Sequence, residues 1–376
     1  MRYLRLLLFP FSLIYGLVVI IRNWCYDTGI FKSRKFYVPV VSVGNLDVGG
    51  AGKTPMTEYL VRLLKPHYKL ATLSRGYGRT TKGIIVEGST IINVKSHEVI
   101  NTTTLKNGGS KMTLASRIGD EPAQFRQKFP DITVVVSENR ITGIKSLKYD
   151  HNLIILDDAY QHRAVKPALS LLLFDYSRIN EPHFLLPTGN LREPFSGRKR
   201  ADVIIVSKCP TDIPAKEQEA ITSNIRSNKK QPVYFSSISY LPLQTIEGEP
   251  ANTAIRADTT VFLLTGIANP LPMQQYIEKY TQHIIHHNYP DHHRFSLKNI
   301  SKLADEFEAC TSKNKLVITK EKDAQRLVER ELLPLVQQMA VLILPIGIEF
   351  LNGTQQQFDQ FVINYVREYT EHHPIH

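Results

Sequence analysis

One segment constrains this chain more than any other: Gly44-Asn45-Leu46-Asp47-Val48-Gly49-Gly50-Ala51-Gly52-Lys53-Thr54. It follows residues 36–43, a β-branched run short enough to be a single buried strand. Met56, Tyr59, Leu60, Leu63 and Leu64 come after it at i, i+3, i+4, i+7 and i+8, the apolar stripe of a helix packed on a sheet. Pro55 stands in the first turn of that helix, where a missing N–H costs least. Strand, glycine-rich loop, Lys-Thr and helix in this order resemble a phosphate-binding Walker A loop. Backbone N–H groups of Gly49, Gly50, Ala51 and Gly52 can close around phosphate oxygens where the helix dipole favours an anion. Lys53 then neutralises β- and γ-phosphate charge, and Thr54 offers its hydroxyl to magnesium. Asp47 departs from the pattern, since the first glycine is expected there. The alternative is a fortuitous glycine-rich turn.

Further acidic and basic residues fall at places where a nucleotide site needs them. Residues 152–156 form an apolar strand that ends in Asp157 and Asp158, the arrangement that holds a metal ion at a strand's carboxyl edge; an Asp-Asp helix cap is the bland reading. Asp120 and Glu121 precede Pro122 and are read, taken alone, as the cap of a helix. Arg75 and Arg79 lie in Ser74-Arg75-Gly76-Tyr77-Gly78-Arg79, either gripping phosphate or forming a solvated loop. Glu193, next to Arg192, is either a further magnesium ligand or that arginine's partner. Arg198, Lys199 and Arg200 are either a contact for an acidic substrate or membrane, or a wet face. Strand-like runs at 70–73, 132–136, 171–175 and 203–206 alternate with helical stretches, so the fold class is α/β, a doubly wound and mostly parallel sheet with its ligand crevice at the strands' carboxyl ends.

Residues 6–21 carry no charge and are flanked by Arg2, Arg5 and Arg22. Sixteen helical residues reach only about 24 Å against a hydrocarbon core of about 30 Å, so an interfacial or partly inserted anchor fits better than a clean span. A buried core helix and a cleaved signal are the competing readings, the latter opposed by Arg22-Asn23-Trp24-Cys25, which offers no small-residue cleavage site. Forty-six Lys and Arg against 35 Asp and Glu leave a net charge of +11, which calls for an anionic partner without choosing one. Cys25, Cys209 and Cys310 show no CxxC spacing, which argues against a disulfide-stapled fold or a zinc ribbon. No nucleic-acid recognition motif is present.

Eight motifs in order, VGNLDVGGAGKTP, LSRGYGR, GDEP, LDDAYQH, LREP, LTGIANP, PDHHRF and TKEKDA, resemble the tetraacyldisaccharide 4′-kinase family of Gram-negative bacteria, the lipid A 4′-kinases. That resemblance implies a P-loop enzyme that uses ATP and Mg²⁺ to phosphorylate the 4′-hydroxyl of an acylated glucosamine disaccharide 1-phosphate, at the cytoplasmic face of the inner membrane. It implies that Asp120 deprotonates the sugar hydroxyl with the help of His292, against the capping role read above. A zinc site among His283, His286, His287, His292 and His293 is the rival reading, but no cysteine or acid spacing completes one. Asn45, Arg75, Tyr77, Arg79 and Arg192 are the expected substrate contacts; Thr54, Asp157, Asp158 and Glu193 are the expected metal ligands. The implied plan is a membrane-associated helix over 1–25, a P-loop kinase domain over 26–231 and a smaller α/β domain over 232–376, whose last helix packs on either domain. The anionic partners are then the lipid substrate and the membrane surface. The competing function is a membrane-associated ATPase or nucleotide switch acting on a protein partner, which needs the same loop and aspartates but no acceptor chemistry.

Overall fold

The computed structural model describes residues 5–88, 100–101, 113–267, 269–291 and 293–372, and arranges the chain around two sheets. The strands are β1 (Val40–Asn45), β2 (Leu70–Ser74), β3 (Ile85–Glu87), β4 (Ile100–Asn101), β5 (Thr133–Val136), β6 (Leu153–Asp157), β7 (Leu169–Asp175), β8 (Val203–Ser207), β9 (Val233–Tyr240), β10 (Gln244–Thr245), β11 (Thr260–Thr265), β12 (Ile284–Asn288), β13 (Lys315–Thr319), β14 (Val341–Ile343) and β15 (Ile346–Phe350). The larger sheet runs β15-β9-β8-β7-β1-β6-β2-β5-β3-β4, and its seven strands from β9 to β5 are all parallel. Its central strands are buried on both faces, as continuous Val, Ile and Leu runs require in a parallel sheet.

Five helices position the site: α1 (Phe9–Asp27), α2 (Lys53–Leu64), α3 (Asp120–Lys128), α4 (Glu321–Leu327) and α5 (Gln355–His372). Met56, Leu60, Val61 and Leu64 of α2 and Phe358, Val362 and Val366 of α5 fill one face of the large sheet. Ile144 and Leu147, from the helix Arg140–Leu147, pack on the other face. Helices on both faces complete the doubly wound arrangement. β1 pairs with β6 on one side and β7 on the other, so the chain changes direction of winding there and a crevice opens at the carboxyl end of β1.

The division between the sheets differs from the expected plan. β9 pairs in parallel with β8, so the larger sheet continues past residue 232 to Tyr240. β15 then returns antiparallel to β9, and α5 packs on the larger sheet, with Tyr59 of α2 donating to Asp359 at 2.6 Å. Local strand patterns look the same in either sheet, so this pairing has no signature in sequence. The smaller sheet, β10-β14-β13-β11-β12, thus occupies an excursion between β9 and β15.

The amino-terminal helix extends beyond the uncharged run to Asp27. It buries only Ser12, Gly16 and Val19, and leaves Leu13, Ile14, Leu17, Val18, Ile20, Ile21 and Trp24 exposed. Its buried stripe is tied to the loop before β8. The Ser12 hydroxyl lies 2.8 Å from that of Thr188, Tyr15 donates to the Arg192 carbonyl at 2.7 Å, and Arg5 donates to the Gly189 carbonyl at 2.5 Å. A core helix would bury its large apolar residues; here the small ones are buried and the large ones face out.

Candidate active site

Residues 46–52 leave β1 at the crevice and wrap back into α2. Gly49 and Gly52 hold φ of +116° and +80°, in the region that side chains disfavour, so glycine is required at both. Asp47 is not among the residues with positive φ; it makes an antiparallel bridge to Leu191 and needs no glycine. The backbone of the loop therefore accommodates the departure from the Walker A pattern. The Ser207 hydroxyl, at the end of β8, lies 2.8 Å from the Ala51 carbonyl and props the loop from below. Gly49 and Gly50 remain exposed at its mouth.

Lys53 opens α2, and its Nζ donates to Asn45 Oδ1 at 3.1 Å and to the Gly49 carbonyl at 3.4 Å, 3.6 Å from Asp158 Oδ1. Asn45 is buried at the end of β1, and its Nδ2 makes no hydrogen bond among the described residues. An orphaned buried donor beside Lys53 suits an anionic oxygen. Asp157 closes β6, in register with β1, and accepts from the Thr57 hydroxyl of α2 at 3.0 Å. Burial, reinforced by the Asp158 charge, pushes the Asp157 carboxyl up to about 7 despite the pull of Lys53. Buried Asp157 and its partly exposed neighbour Asp158, with the Thr54 hydroxyl one residue from Lys53, form a donor set that fits a hard divalent cation. No group of three or more His, Cys, Asp or Glu side chains with metal-binding geometry occurs among the described residues. Magnesium beside a nucleotide needs none, because it retains water and phosphate oxygens as ligands.

Arg192 reaches Asp158, with Nη1 at 3.0 and 3.2 Å from its two oxygens, and thereby joins the loop that receives α1 to the aspartate pair. Glu193 departs from the expectation of a metal ligand or an Arg192 partner. Its fully buried carboxylate accepts from Arg200 Nη2 at 2.9 and 2.8 Å, from Gln161 at 3.1 Å and from Asn23 of α1 at 3.2 Å. With both oxygens occupied it is a structural anchor. The basic run after it is likewise internal in part, since Arg198 lies over the Phe195 ring and Arg200 over the Tyr160 ring.

The arginines of the loop after β2 separate. Arg75 is exposed, as is Tyr77, while Arg79 is committed to the Glu138 carboxylate and to the Gly83 carbonyl. Both contacts use Nη2 and brace the loop, while Nη1 is buried without a hydrogen-bond partner among the described residues. That loop touches the start of α3. Gly119, at φ +98°, passes so close that a Cβ there would meet the Tyr77 carbonyl at 2.8 Å.

Asp120 and Glu121 begin α3, and neither caps it through a side-chain hydrogen bond. Both instead pair across to α4: Asp120 Oδ2 with Arg326 at 2.5 Å and Glu121 with Lys322 at 3.0 Å. Lys128, at the other end of α3, pairs with buried Glu58 of α2 at 2.5 Å and also with Glu321 of α4. Three helices from distant parts of the sequence are thus joined by ion pairs. His292 lies outside the described residues. Its neighbour His293 is placed, with Nε2 3.1 Å from Asn299 Oδ1, while His286 lies 2.8 Å from Thr265 and His287 pairs with Glu306 at 3.1 Å.

Sequence reading missed Thr57, Ser207, Lys208 and Arg326. Lys208, at φ +58° just after β8, pairs with Asp175 at 2.7 Å next to the phosphate loop. Thr57 stands one turn beyond Thr54, a spacing that puts both on one helix face. Ser207 and Arg326 carry no local signal, since their partners lie 156 and 206 residues away.

A phosphate loop at the switch point of a parallel sheet, facing an aspartate pair on the next strand, defines a nucleotide-binding α/β protein of the P-loop class. Comparison with known proteins narrows that class. The family described as LpxK, tetraacyldisaccharide-1-P 4′-kinase, matches residues 4–367. A tetraacyldisaccharide 4′-kinase of Bacteroides thetaiotaomicron is 40% identical over 96% of this chain and 93% of its own length. One from Flavobacterium psychrophilum is 40% identical over 98% and 99%. The crystal structure of LpxK from Aquifex aeolicus in complex with ATP superposes with a TM-score of 0.69 at 26% identity, covering 96% of this chain and 99% of that one. The chain belongs to the tetraacyldisaccharide 4′-kinase family.

Proposed function

We propose that this enzyme transfers the γ-phosphoryl group of ATP to the 4′-hydroxyl of an acylated glucosamine disaccharide 1-phosphate, in lipid A biosynthesis. The observation that carries the reading is Lys53, held at the mouth of the phosphate loop between Asn45 and Asp158. In the reaction the 4′-oxygen bonds to the γ-phosphorus, the bond to the β–γ bridging oxygen breaks, and ADP leaves. The loop glycines and Lys53 orient the triphosphate. Thr54, Asp157 and Asp158 would hold Mg²⁺, which when bound neutralises charge on the phosphate oxygens. Asp120, with His292, takes the hydroxyl proton. A carboxylate is a weak base toward an alcohol, but phosphoryl transfer depends chiefly on positioning and charge stabilisation.

Arg192 and Arg75 are the side chains assigned to the acidic headgroup, with Tyr77 beside them. The exposed apolar face of α1 is assigned to the bilayer at the cytoplasmic face of the inner membrane, where its hydrogen bonds to the Thr188–Arg192 segment set the lipid surface close to the crevice. The test is direct. The purified chain, given ATP, Mg²⁺ and the tetraacylated disaccharide 1-phosphate, should yield a lipid heavier by one phosphate in mass spectrometry, and Lys53→Ala should not. ATP hydrolysis without a phosphorylated lipid would favour the nucleotide switch instead.

A further inference from the structure

Asp120 belongs to the larger sheet's crevice, yet its strongest partner comes from the excursion that builds the smaller sheet. Arg326 of α4 places Nη2 2.5 Å from Asp120 Oδ2 and donates through Nη1 to the His293 carbonyl at 3.1 Å. One rigid guanidinium therefore grips both the carboxylate of the GDEP turn and the backbone of the DHH loop, the two segments assigned to proton removal. Arg326 is itself fixed. Its side chain is buried, and Asp323, which has no exposed side-chain surface, lies 3.5 Å from Nη1 while accepting from the Gly266 N–H at 2.9 Å. The neighbouring Glu121–Lys322 and Lys128–Glu321 pairs hold α4 against α3 on either side.

We propose that Arg326 is a positioning residue for phosphoryl transfer, setting the distance and orientation between Asp120 and the DHH loop. The proposal rests on the reading of Asp120 as the group that accepts the hydroxyl proton. The planar fork is what the geometry uses, since two of its nitrogens point to two separate acceptors. A lysine can neutralise Asp120 but cannot hold both. Misplacement of a reacting group by about 1 Å can cost about 100-fold in rate.

The test is a double-mutant cycle on the full chain, assayed with ATP–Mg²⁺ and the acylated disaccharide 1-phosphate. Arg326→Met should lower kcat by about 100-fold with KM for both substrates within about twofold of the parent. Arg326→Lys should recover part of the loss. In an Asp120→Asn background, Arg326→Met should change kcat by less than about twofold, because the residue it positions is already disabled. A loss that multiplies with that of Asp120→Asn, or a rise in KM at unchanged kcat, would overturn the positioning role while leaving Asp120 in place. Near-parental activity in Asp120→Asn alone would instead overturn the assignment of Asp120, and the inference with it. Arg326→Lys, which keeps the charge in the buried site, carries the same comparison if the methionine variant folds poorly.

Discussion

Replacing Asp157 with asparagine tests whether the fold opposes a charge at the end of β6. The folded carboxyl is pushed up to about 7 by burial and then by Asp158. In the unfolded chain it titrates near its ordinary value of about 4. Between those values the folded chain keeps a proton that the unfolded chain has released, so this group makes stability fall as pH rises, and its full penalty is present above pH ~7. About three pH units at ~1.4 kcal/mol each give a cost on the order of 4 kcal/mol. Asparagine retains an oxygen to accept from Thr57 and carries no charge.

Asp157→Asn should therefore be more stable than the parent, and its advantage should widen by about 2 kcal/mol between about pH 5.5 and about pH 7.5. Urea denaturation of both proteins followed by circular dichroism, at several pH values, measures this. The same variant should lose most phosphoryl transfer. A stability difference that does not change with pH, or a parent more stable at the upper end, would refute the claim that burial holds this carboxyl up. A cation held there, as proposed, would supply the missing positive charge, which would let a destabilising carboxylate persist at that position.

Other outcomes follow from the same geometry. Binding of ATP–Mg²⁺ below about pH 7 should release close to one proton as Asp157 ionises, seen by calorimetry in buffers of different ionisation enthalpy; the same heat in every buffer would count against it. Glu193→Gln should cost about 3–5 kcal/mol of stability, since it leaves Arg200 without its buried partner, and a thermal melt should show this at full metal affinity per folded molecule. Lys53→Ala should abolish most transfer and weaken ATP binding in a filter or calorimetric assay, with the fold unchanged by circular dichroism. Changing Leu13, Leu17 and Ile20 together to serine should release the chain from anionic vesicles in a flotation assay while ATP binding persists.

What the sequence made legible was local. The phosphate loop, the strand ending in Asp157 and Asp158, and the apolar α1 are each written in contiguous residues, where period, glycine placement and charge act within one element. What escaped reading was long-range pairing. Arg200 takes Glu193 from seven residues away, a contact that no periodicity marks and that occupies both carboxylate oxygens. Likewise, Glu138 claims Arg79, and β9 continues the larger sheet, because tertiary partners decide between equivalent local choices. Asp47 shows the converse: a glycine pattern states which residues are usual, whereas the backbone angle decides which are necessary.

The placement of α1 gives that difference a functional consequence. The helix touches the Arg192 carbonyl through Tyr15 and Glu193 through Asn23, and Arg192 in turn grips Asp158. A path of direct contacts thus runs from the exposed apolar helix to the aspartate pair. Arg192 Nη1 makes both contacts to Asp158, so if that carboxylate holds a cation the guanidinium competes with it for the same oxygens. If so, Arg192→Ala should raise the metal affinity of the lipid-free enzyme while lowering the transfer rate, measured by Mn²⁺ titration with paramagnetic resonance alongside the lipid assay. Unchanged Mn²⁺ affinity would show that the Arg192–Asp158 pair does not compete with the cation.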